Sequence, residues 1–168
     1  MRRQGRLMVG GWAVRRLTPD EWQLHRAVRL AMLLDEPRAY GSSFGREVGF
    51  DEATWRERLG HPVFLAARGD GLPLGAATLY TQQPGGEPEI VAMWVAGHAR
   101  GSGVADALVE ACVAEAARRG APRVLMHVMA DNPRAAAMYA RAGFSFDGVR
   151  AEDDEACERM SRDLRSTG

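Results

Sequence analysis

The sequence predicts a single α/β domain of the α+β type, in which a mixed, mostly antiparallel sheet of six or seven strands is flanked by helices. Three observations support this fold class. The 168 residues match the size of one domain and can bury a sizeable core. Strand-like and helix-like segments alternate along the chain without an internal repeat or a linker. A nearly continuous apolar run at 90–95 is typical of a central strand buried on both faces.

The first third of the chain predicts one strand and two helices. Residues 12–17 alternate between apolar and polar side chains, which suits a half-buried strand. The segment 18–34 opens with Thr, Pro and Glu in a capping box and continues as a helix. Residues 37–50 are rich in Gly and Ser and predict a loop. A second, short helix follows over 51–59, with an Asp as its cap.

The rest of the chain predicts the hairpin and the helices that complete the sheet. A turn at 69–71 joins two strand-like segments, and the Pro- and Gly-rich stretch 84–88 separates them from the apolar run. Helical spacing of apolar residues begins at Val104 and ends before Gly120. The remaining elements are a strand at 123–129, a helix at 133–142 and a tail from Phe144 with one or two strands, anchored inward by Met160 and Leu164.

Composition narrows the classes of function. The 22 basic residues, all arginine, balance 22 acidic ones, which argues against binding to nucleic acid or to an anionic membrane by bulk charge. Two cysteines are too few for a disulfide scaffold or a zinc cluster, so we expect no metal and a reduced, cytoplasmic setting. No run of apolar residues is long enough to span a bilayer. Residues 1–10 are expected to be a mobile leader, and residues 11–168 are expected to form the single domain.

The segment from Trp94 to Ala105 carries the clearest chemistry. A buried strand leads into a short loop of small residues, and an amphipathic helix begins at once. Such a junction directs unpaired amides and the positive end of the helix dipole at one spot, which favours phosphate, and Arg100 is expected to add a fixed positive charge at its rim. A Walker loop requires a lysine that this chain lacks, and a dinucleotide fingerprint requires a glycine where Asp106 stands. The alternative is that the Gly-rich turn is only a tight connection.

Two motifs at the expected distance resemble those of the GNAT superfamily of acyl-CoA-dependent N-acyltransferases. Arg100-x-x-Gly103-x-Ala105 matches the Gln/Arg-x-x-Gly-x-Gly/Ala signature. The segment from Asn132 to Phe144 is similar to the family's Asn-x-x-Ala-x-x-x-Tyr-x-x-x-Gly-Phe element, with its tyrosine at Tyr139. The resemblance covers approximately residues 12–164 and implies the acyl-CoA N-acyltransferase fold. Gly97 departs from it, because many relatives have a proline there.

The resemblance implies a role for each matching position. Main-chain groups of Met93, Trp94 and Val95 would bind the pantetheine arm of acetyl-CoA, and the polarised main chain at Val95 would stabilise the developing oxyanion. Asn132 would contact the pantetheine, and Tyr139 would protonate the CoA thiolate as general acid. The diphosphate would lie on backbone amides of the loop, which are those of Arg100, Gly101, Ser102, Gly103, Val104 and Ala105.

Several of these residues have a second interpretation that the sequence leaves open. Asn132 precedes Pro133 and is also a plausible helix cap. Tyr139 could be a core aromatic, although we favour the acid role. Glu89 shares a face with Val91 and is either the group that activates the amine or an exposed glutamate at the strand edge. His127 is expected to be a hydrogen-bonded core histidine.

These inferences predict an N-acetyltransferase that moves an acetyl group from acetyl-CoA to a primary amine of a small molecule or peptide, in a ternary complex. The alternative is a CoA-binding regulatory or interaction module without efficient catalysis; a plain phosphate-binding protein is weaker. Arg29 and Glu47 are candidates to line the acceptor pocket. Cys112 falls on an apolar helical stripe and is expected in the core. The acceptor is not readable from the sequence, and no feature decides between a monomer and a homodimer.

Overall fold

The computed structural model describes residues 11–151 and 154–165, so the leader predicted for residues 1–10 lies outside it. A turn of 3-10 helix, in which the Glu21 carboxylate accepts the Thr18 N–H at 2.9 Å, precedes the first helix. In chain order the elements are β1 (Trp12–Arg16), α1 (Trp22–Asp35), α2 (Phe44–Glu47), α3 (Glu52–Arg58), β2 (Val63–Arg68), β3 (Pro73–Tyr80), β4 (Glu89–Val95), α4 (Val104–Arg118), β5 (Arg123–Met129), α5 (Pro133–Arg141), β6 (Ser145–Ala151) and β7 (Asp154–Asp163).

The seven strands form one sheet in the order β1-β2-β3-β4-β5-β7-β6. β4 and β5 are parallel, and every other neighbouring pair is antiparallel. The prediction of a mixed, mostly antiparallel sheet flanked by helices is therefore confirmed. The parallel pair needs a crossover, which α4 supplies.

Helices cover both faces of the sheet. A Cβ on Gly75 would lie 3.0 Å from Val104 and 3.1 Å from Leu108, so this side of β3 faces α4. The next residue, Ala76, faces the opposite side and shares a small cavity with Met32 of α1. Cys112 is fully buried on the α4 side, as its apolar stripe predicts.

β4 is distorted where it crosses the middle of the sheet. Its register with β3 shifts between Ala76 and Thr78, and Ala92 has a positive φ of 52°. An extra residue in one strand produces such a bulge and bends the strand away from its neighbour. Pairing with β5 covers the pairs Glu89–Leu125 and Ile90–Met126, after which β4 and β5 separate. The expectation that residues 90–95 are buried on both faces is therefore wrong for Val91 to Met93 and for Val95, which are half-buried.

Two further segments differ from or refine the sequence-based expectation. The predicted loop at 37–50 contains the short helix α2, whose cap Ser43 accepts the Arg46 N–H at 3.2 Å. Glycine and serine obscure this helix in the sequence because both are also common in loops. The tail forms two strands: Met160 is 1% exposed and anchors β7, whereas Leu164 follows the strand and packs against the edge of the core.

Candidate active site

The loop between β4 and α4 presents main-chain amides at the start of a long helix. Gly101 and Gly103 have φ values of 76° and 86°, which favour glycine. Gly103 occupies the N-cap position and has no side chain with which to cap the helix. The hydrogen bond from Ala107 N to Gly103 O, at 3.1 Å, spans the first turn. The amides that precede Ala107 are therefore available to an anion, and the helix dipole favours negative charge there.

Two loop residues can contribute only through their main chain. The Val104 side chain is 1% exposed and belongs to the core. The Ser102 hydroxyl donates to the carbonyl oxygen of Ala99 and holds the turn closed.

Arg100 does not supply a free positive charge at the rim of this loop, contrary to the sequence-based expectation. Its Nη2 lies 3.2 Å from an Asp35 carboxylate oxygen and 3.1 Å from one of Glu36, at the end of α1. Its Nε donates to the carbonyl oxygen of Val95 at 3.3 Å. Arg100 thus fastens the loop to α1, and its charge is balanced by carboxylates.

Two arginines of α5 supply positive charge instead. Arg134 and Arg141 line the space in front of Gly101 and Gly103. Neither forms an ion pair within the part of the chain that the structure describes. The sequence signal for them is their spacing of seven residues, which puts both on one face of a helix.

Side chains at and just after the end of α1 hold β4 through its main chain at Met93 and through the indole of Trp94. The Tyr40 hydroxyl donates to the carbonyl oxygen of Met93 at 3.0 Å. The indole N–H of Trp94 donates to Asp35 at 2.9 Å. These contacts fix the splayed end of β4, which has no β5 partner there to hold it.

Two clefts meet at Met93. The first, the strand cleft, has a volume of about 520 Å³ and lies between the separating strands; Glu89, His127 and Tyr139 line it. The second, the loop cleft, has a volume of about 600 Å³ and is lined by Trp94, Val95, Arg100, Gly101, Gly103, Ala105, Arg134 and Arg141. Glu36, Met93, Asn132 and Ala135 line both clefts.

Asn132 and Tyr139 lie together at the junction of the clefts. The Asn132 Oδ1 accepts the Ala135 N–H at 3.1 Å, so Asn132 is a helix cap. The cap uses the side-chain oxygen and leaves the NH₂ group for a ligand. Tyr139 is 7% exposed, and its ring packs against the edge of Phe144. Burial raises the pKa of Tyr139 to about 12, which keeps its hydroxyl protonated and able to donate.

Glu89 and His127 form a pair on the strand cleft. The Glu89 Oε1 lies 2.5 Å from the Nδ1 of His127, and each side chain is about one quarter exposed, at 27% and 28%. The prediction for His127 is correct for the hydrogen bond and wrong for the burial. The sequence could not show this, because the separation of β4 from β5 exposes the histidine.

Beneath the strand cleft, a buried carboxylate connects three helices. Glu47 is 0% exposed; it accepts hydrogen bonds from Nε and Nη2 of Arg29, each at 3.0 Å, and two from Arg58, at 2.9 and 3.3 Å. Burial alone would raise the pKa of Glu47, but the hydrogen bonds from Arg29 and Arg58 lower it to about 2. Arg29 lines the strand cleft, whereas Glu47 does not and instead fixes Arg29 from behind.

The described residues show neither a cluster of metal ligands nor a membrane-spanning helix. Among the side chains described within residues 11–151 and 156–165, no group of three or more His, Cys, Asp or Glu is arranged to hold a metal ion. Of the helices in the same residues, none combines the length and the apolar character that a bilayer span requires.

Comparison with known proteins places this site in a family. The family model for the Acetyltransferase (GNAT) family matches residues 29–144. This range contains the residues that line the loop cleft and, apart from Cys157, those that line the strand cleft. No protein of curated function matches the chain in sequence.

Solved structures share the fold. A GCN5-related N-acetyltransferase from Kribbella flavida aligns with a TM-score of 0.68 at 22% identity, over 91% of this chain and 98% of that one. The spermidine/spermine N-acetyltransferase SpeG from Vibrio cholerae, solved in mutant forms, aligns with a TM-score of 0.70 at 15% identity, over 93% and 95%. A GNAT-family acetyltransferase from Streptococcus pneumoniae gives 0.69 at 15% identity, over 90% and 98%. The chain belongs to the acetyltransferase (GNAT) family.

Proposed function

We propose that the protein transfers the acetyl group of acetyl-CoA to a primary amine by direct attack of the amine on the thioester in a ternary complex. The observation that carries this proposal is the junction of the two clefts at Met93, Asn132 and Ala135, beside the Tyr139 hydroxyl. Two ligands that enter from separate clefts can hold their reacting atoms together at this junction. Such positioning converts a bimolecular step into an effectively unimolecular one.

The loop cleft suits the cofactor. The diphosphate of acetyl-CoA would accept hydrogen bonds from the main-chain amides between Arg100 and Ala105. Arg134 and Arg141, which line the same cleft, would face its negative charge. The pantetheine arm would follow the main chain from Met93 to Val95. The carbonyls of Met93 and Val95 each accept one side-chain hydrogen bond, so a second lone pair remains on each oxygen.

The strand cleft suits the acceptor and the proton transfers. As the amine nitrogen forms its bond to the carbonyl carbon, the oxyanion would be stabilised by the polarised main chain at Val95. The carbon–sulfur bond then breaks, and Tyr139 donates its proton to the departing thiolate. Removal of the amine's own proton would depend on Glu89, which lines the same cleft. The products are the N-acetylated amine and CoA.

The first acceptors to test follow from the neighbours that share the fold. One of them acts on spermidine and spermine, so spermidine is the first probe. An α-amino acid, a peptide with a free N-terminus and an aminoglycoside extend the panel to the other classes of primary amine.

A two-step experiment tests the function. Calorimetric titration with acetyl-CoA and with CoA should show binding at submillimolar ligand, and absence of binding at millimolar ligand would end the proposal. Release of CoA thiol on adding each amine then measures catalysis. Binding without thiol release for any amine would instead support the alternative, a CoA-binding module without efficient catalysis.

A further inference from the structure

The contact between Glu89 and His127 lies at the point where the sheet opens. The last residue of β5 that pairs with β4 is Met126, and His127 is the next residue along β5. Glu89 lies at the start of β4, and its carboxylate reaches across to the imidazole Nδ1 at 2.5 Å. The pair is therefore fixed to two strands and borders the cleft that they enclose.

Partial burial makes this contact more than a surface ion pair. About one quarter of each side chain is exposed, 27% for Glu89 and 28% for His127, and both residues line the strand cleft that Tyr139 also lines. A hydrogen bond to a carboxylate at Nδ1 fixes the ring orientation and leaves Nε2 as the nitrogen that can accept a proton.

The other charged groups near the pair form ion pairs with different residues or lie further along the strand cleft. Directly opposite His127 on β7, Arg159 is held by Asp147 at 2.7 Å. The remaining titratable residues that line the strand cleft are Arg29, Glu36, Arg38, Tyr40, Tyr139 and Cys157. Arg29 is bound by Glu47, and Glu36 by Arg100, so Glu89 is the carboxylate in contact with the imidazole.

We propose that His127 accepts the proton of the attacking amine and that Glu89 is a positioning residue, which orients the imidazole and balances its charge. This inference rests on the proposed acetyl transfer. As the nitrogen lone pair forms the bond to carbon, the N–H proton passes to Nε2 and gives an imidazolium beside the Glu89 carboxylate. Tyr139 protonates the thiolate, and the proton on His127 restores the Tyr139 hydroxyl, directly or through water.

A double-mutant cycle tests the assignment. The variants are His127→Ala, Glu89→Gln and the two combined, assayed with acetyl-CoA and the amine of the panel that turns over fastest. If Glu89 acts through His127, His127→Ala lowers kcat at least about 100-fold, which is typical of a lost general base. Glu89→Gln lowers kcat less, and the double variant is no slower than His127→Ala. The Kd for acetyl-CoA stays within twofold, because neither residue lines the loop cleft.

Chemical rescue and a matched histidine separate catalysis from structure. Free imidazole should restore turnover of His127→Ala in a saturable way, and it should not stimulate Glu89→Gln. His61 lies outside both clefts and outside the loop between β4 and α4, so His61→Ala should keep the parent rate. A second substitution, His127→Gln, replaces the alanine variant if that one unfolds. In the free protein, ¹⁵N NMR should show a hydrogen-bonded proton on Nδ1 of His127 that is lost in Glu89→Gln.

Each contrary result has a distinct meaning. If Glu89→Gln slows kcat as much as His127→Ala and slows it again in the His127→Ala background, then Glu89 is itself the base and the proposal is wrong. Turnover that does not respond to His127→Ala overturns this inference alone. Absence of thiol release with every amine overturns the proposed function, and this inference with it.

Discussion

Gly75 of β3 lies so close to Trp94 of β4 that a Cβ on Gly75 would stand 2.6 Å from the Trp94 carbonyl oxygen. The same Cβ would meet Val104 and Leu108 of α4. Since the closest atom belongs to the main chain of a neighbouring strand, it cannot move aside as a flexible side chain could. Gly75 therefore sets how closely β3, β4 and α4 approach one another.

Gly75→Ala should destabilise the fold by about 1–3 kcal/mol, the usual effect of overpacking. Urea unfolding followed by circular dichroism measures it. Gly97→Ala is the matched control, because a Cβ there has no atom within 4 Å and the stability should hardly change. Equal stability of the two variants would show that the Gly75 contact is not as tight as described.

Tyr139→Phe should lower kcat by about 100-fold or more, because the departing thiolate loses its proton donor. The Kd for acetyl-CoA, measured by calorimetry, should stay nearly unchanged. Tyr80→Phe removes an exposed hydroxyl outside both clefts and serves as the control. Unchanged turnover in Tyr139→Phe would remove Tyr139 from the mechanism.

The pH dependence of turnover gives an independent check on Tyr139. Its pKa is raised to about 12, so the acid form persists as the pH rises through the usual assay range. We therefore expect that deprotonation of Tyr139 causes no loss of kcat up to about pH 10. If kcat falls with rising pH before pH 10 is reached, and this fall is absent in Tyr139→Phe, then burial does not hold the hydroxyl protonated as described above.

Glu47→Gln should cost about 3 kcal/mol of stability, since it leaves the buried guanidinium of Arg29 without its counter-charge. The pKa of Glu47 is lowered from 4.5 to about 2, so its folded value lies below the unfolded one. Its contribution is present above about pH 4.5 and is lost as the pH falls towards 2.

Urea unfolding at a series of pH values measures the stability that Glu47 contributes. The difference between the parent and Glu47→Gln should shrink between pH 4.5 and the lower limit of the assay. Asp70→Asn is the control, because the ion pair of Asp70 with Arg68 is exposed and should matter little. A difference that does not depend on pH would contradict the charge-based account of Glu47.

Arg134→Ala and Arg141→Ala should each weaken acetyl-CoA binding by about 1 kcal/mol, or about fivefold in Kd. The effect should diminish in high salt, because both guanidinium groups are exposed. Arg118→Ala changes an arginine at the far end of α4 and is expected to leave the Kd unchanged. A loss of affinity in Arg118→Ala of the same size would point to net charge and not to the loop cleft.

The sequence predicts the elements, including the turn from β4 into α4, better than it predicts the contacts between the strands. Alternation, caps and glycine stops are local signals, which is why α4 and β5 lie where the pattern puts them. The short helix α2 is not predicted, because its few residues have the composition of a loop. The contact of Glu89 with His127 joins residues of two strands that lie 38 positions apart in sequence. Nothing local in the chain encodes where β4 leaves β5.

The ion pairs of Arg100 are a second example of contacts that the local sequence does not predict. Its position in the motif suggests a phosphate contact, but Asp35 and Glu36, which lie 65 and 64 residues away in sequence, bind the guanidinium. A partner at such separation is visible only once the chain has folded.

The brief parallel pairing of β4 with β5 also bears on how the chain folds. β1 to β4 form a meander of sequence neighbours, and β5 to β7 form a second cluster of nearby strands, so each can assemble from short-range contacts. Joining the two requires the α4 crossover to close first, and pairing across such a separation is slow. The hydrogen bonds that join Glu89 and Ile90 to β5 are therefore expected to form last during folding. These are the same residues after which β4 and β5 separate to form the strand cleft.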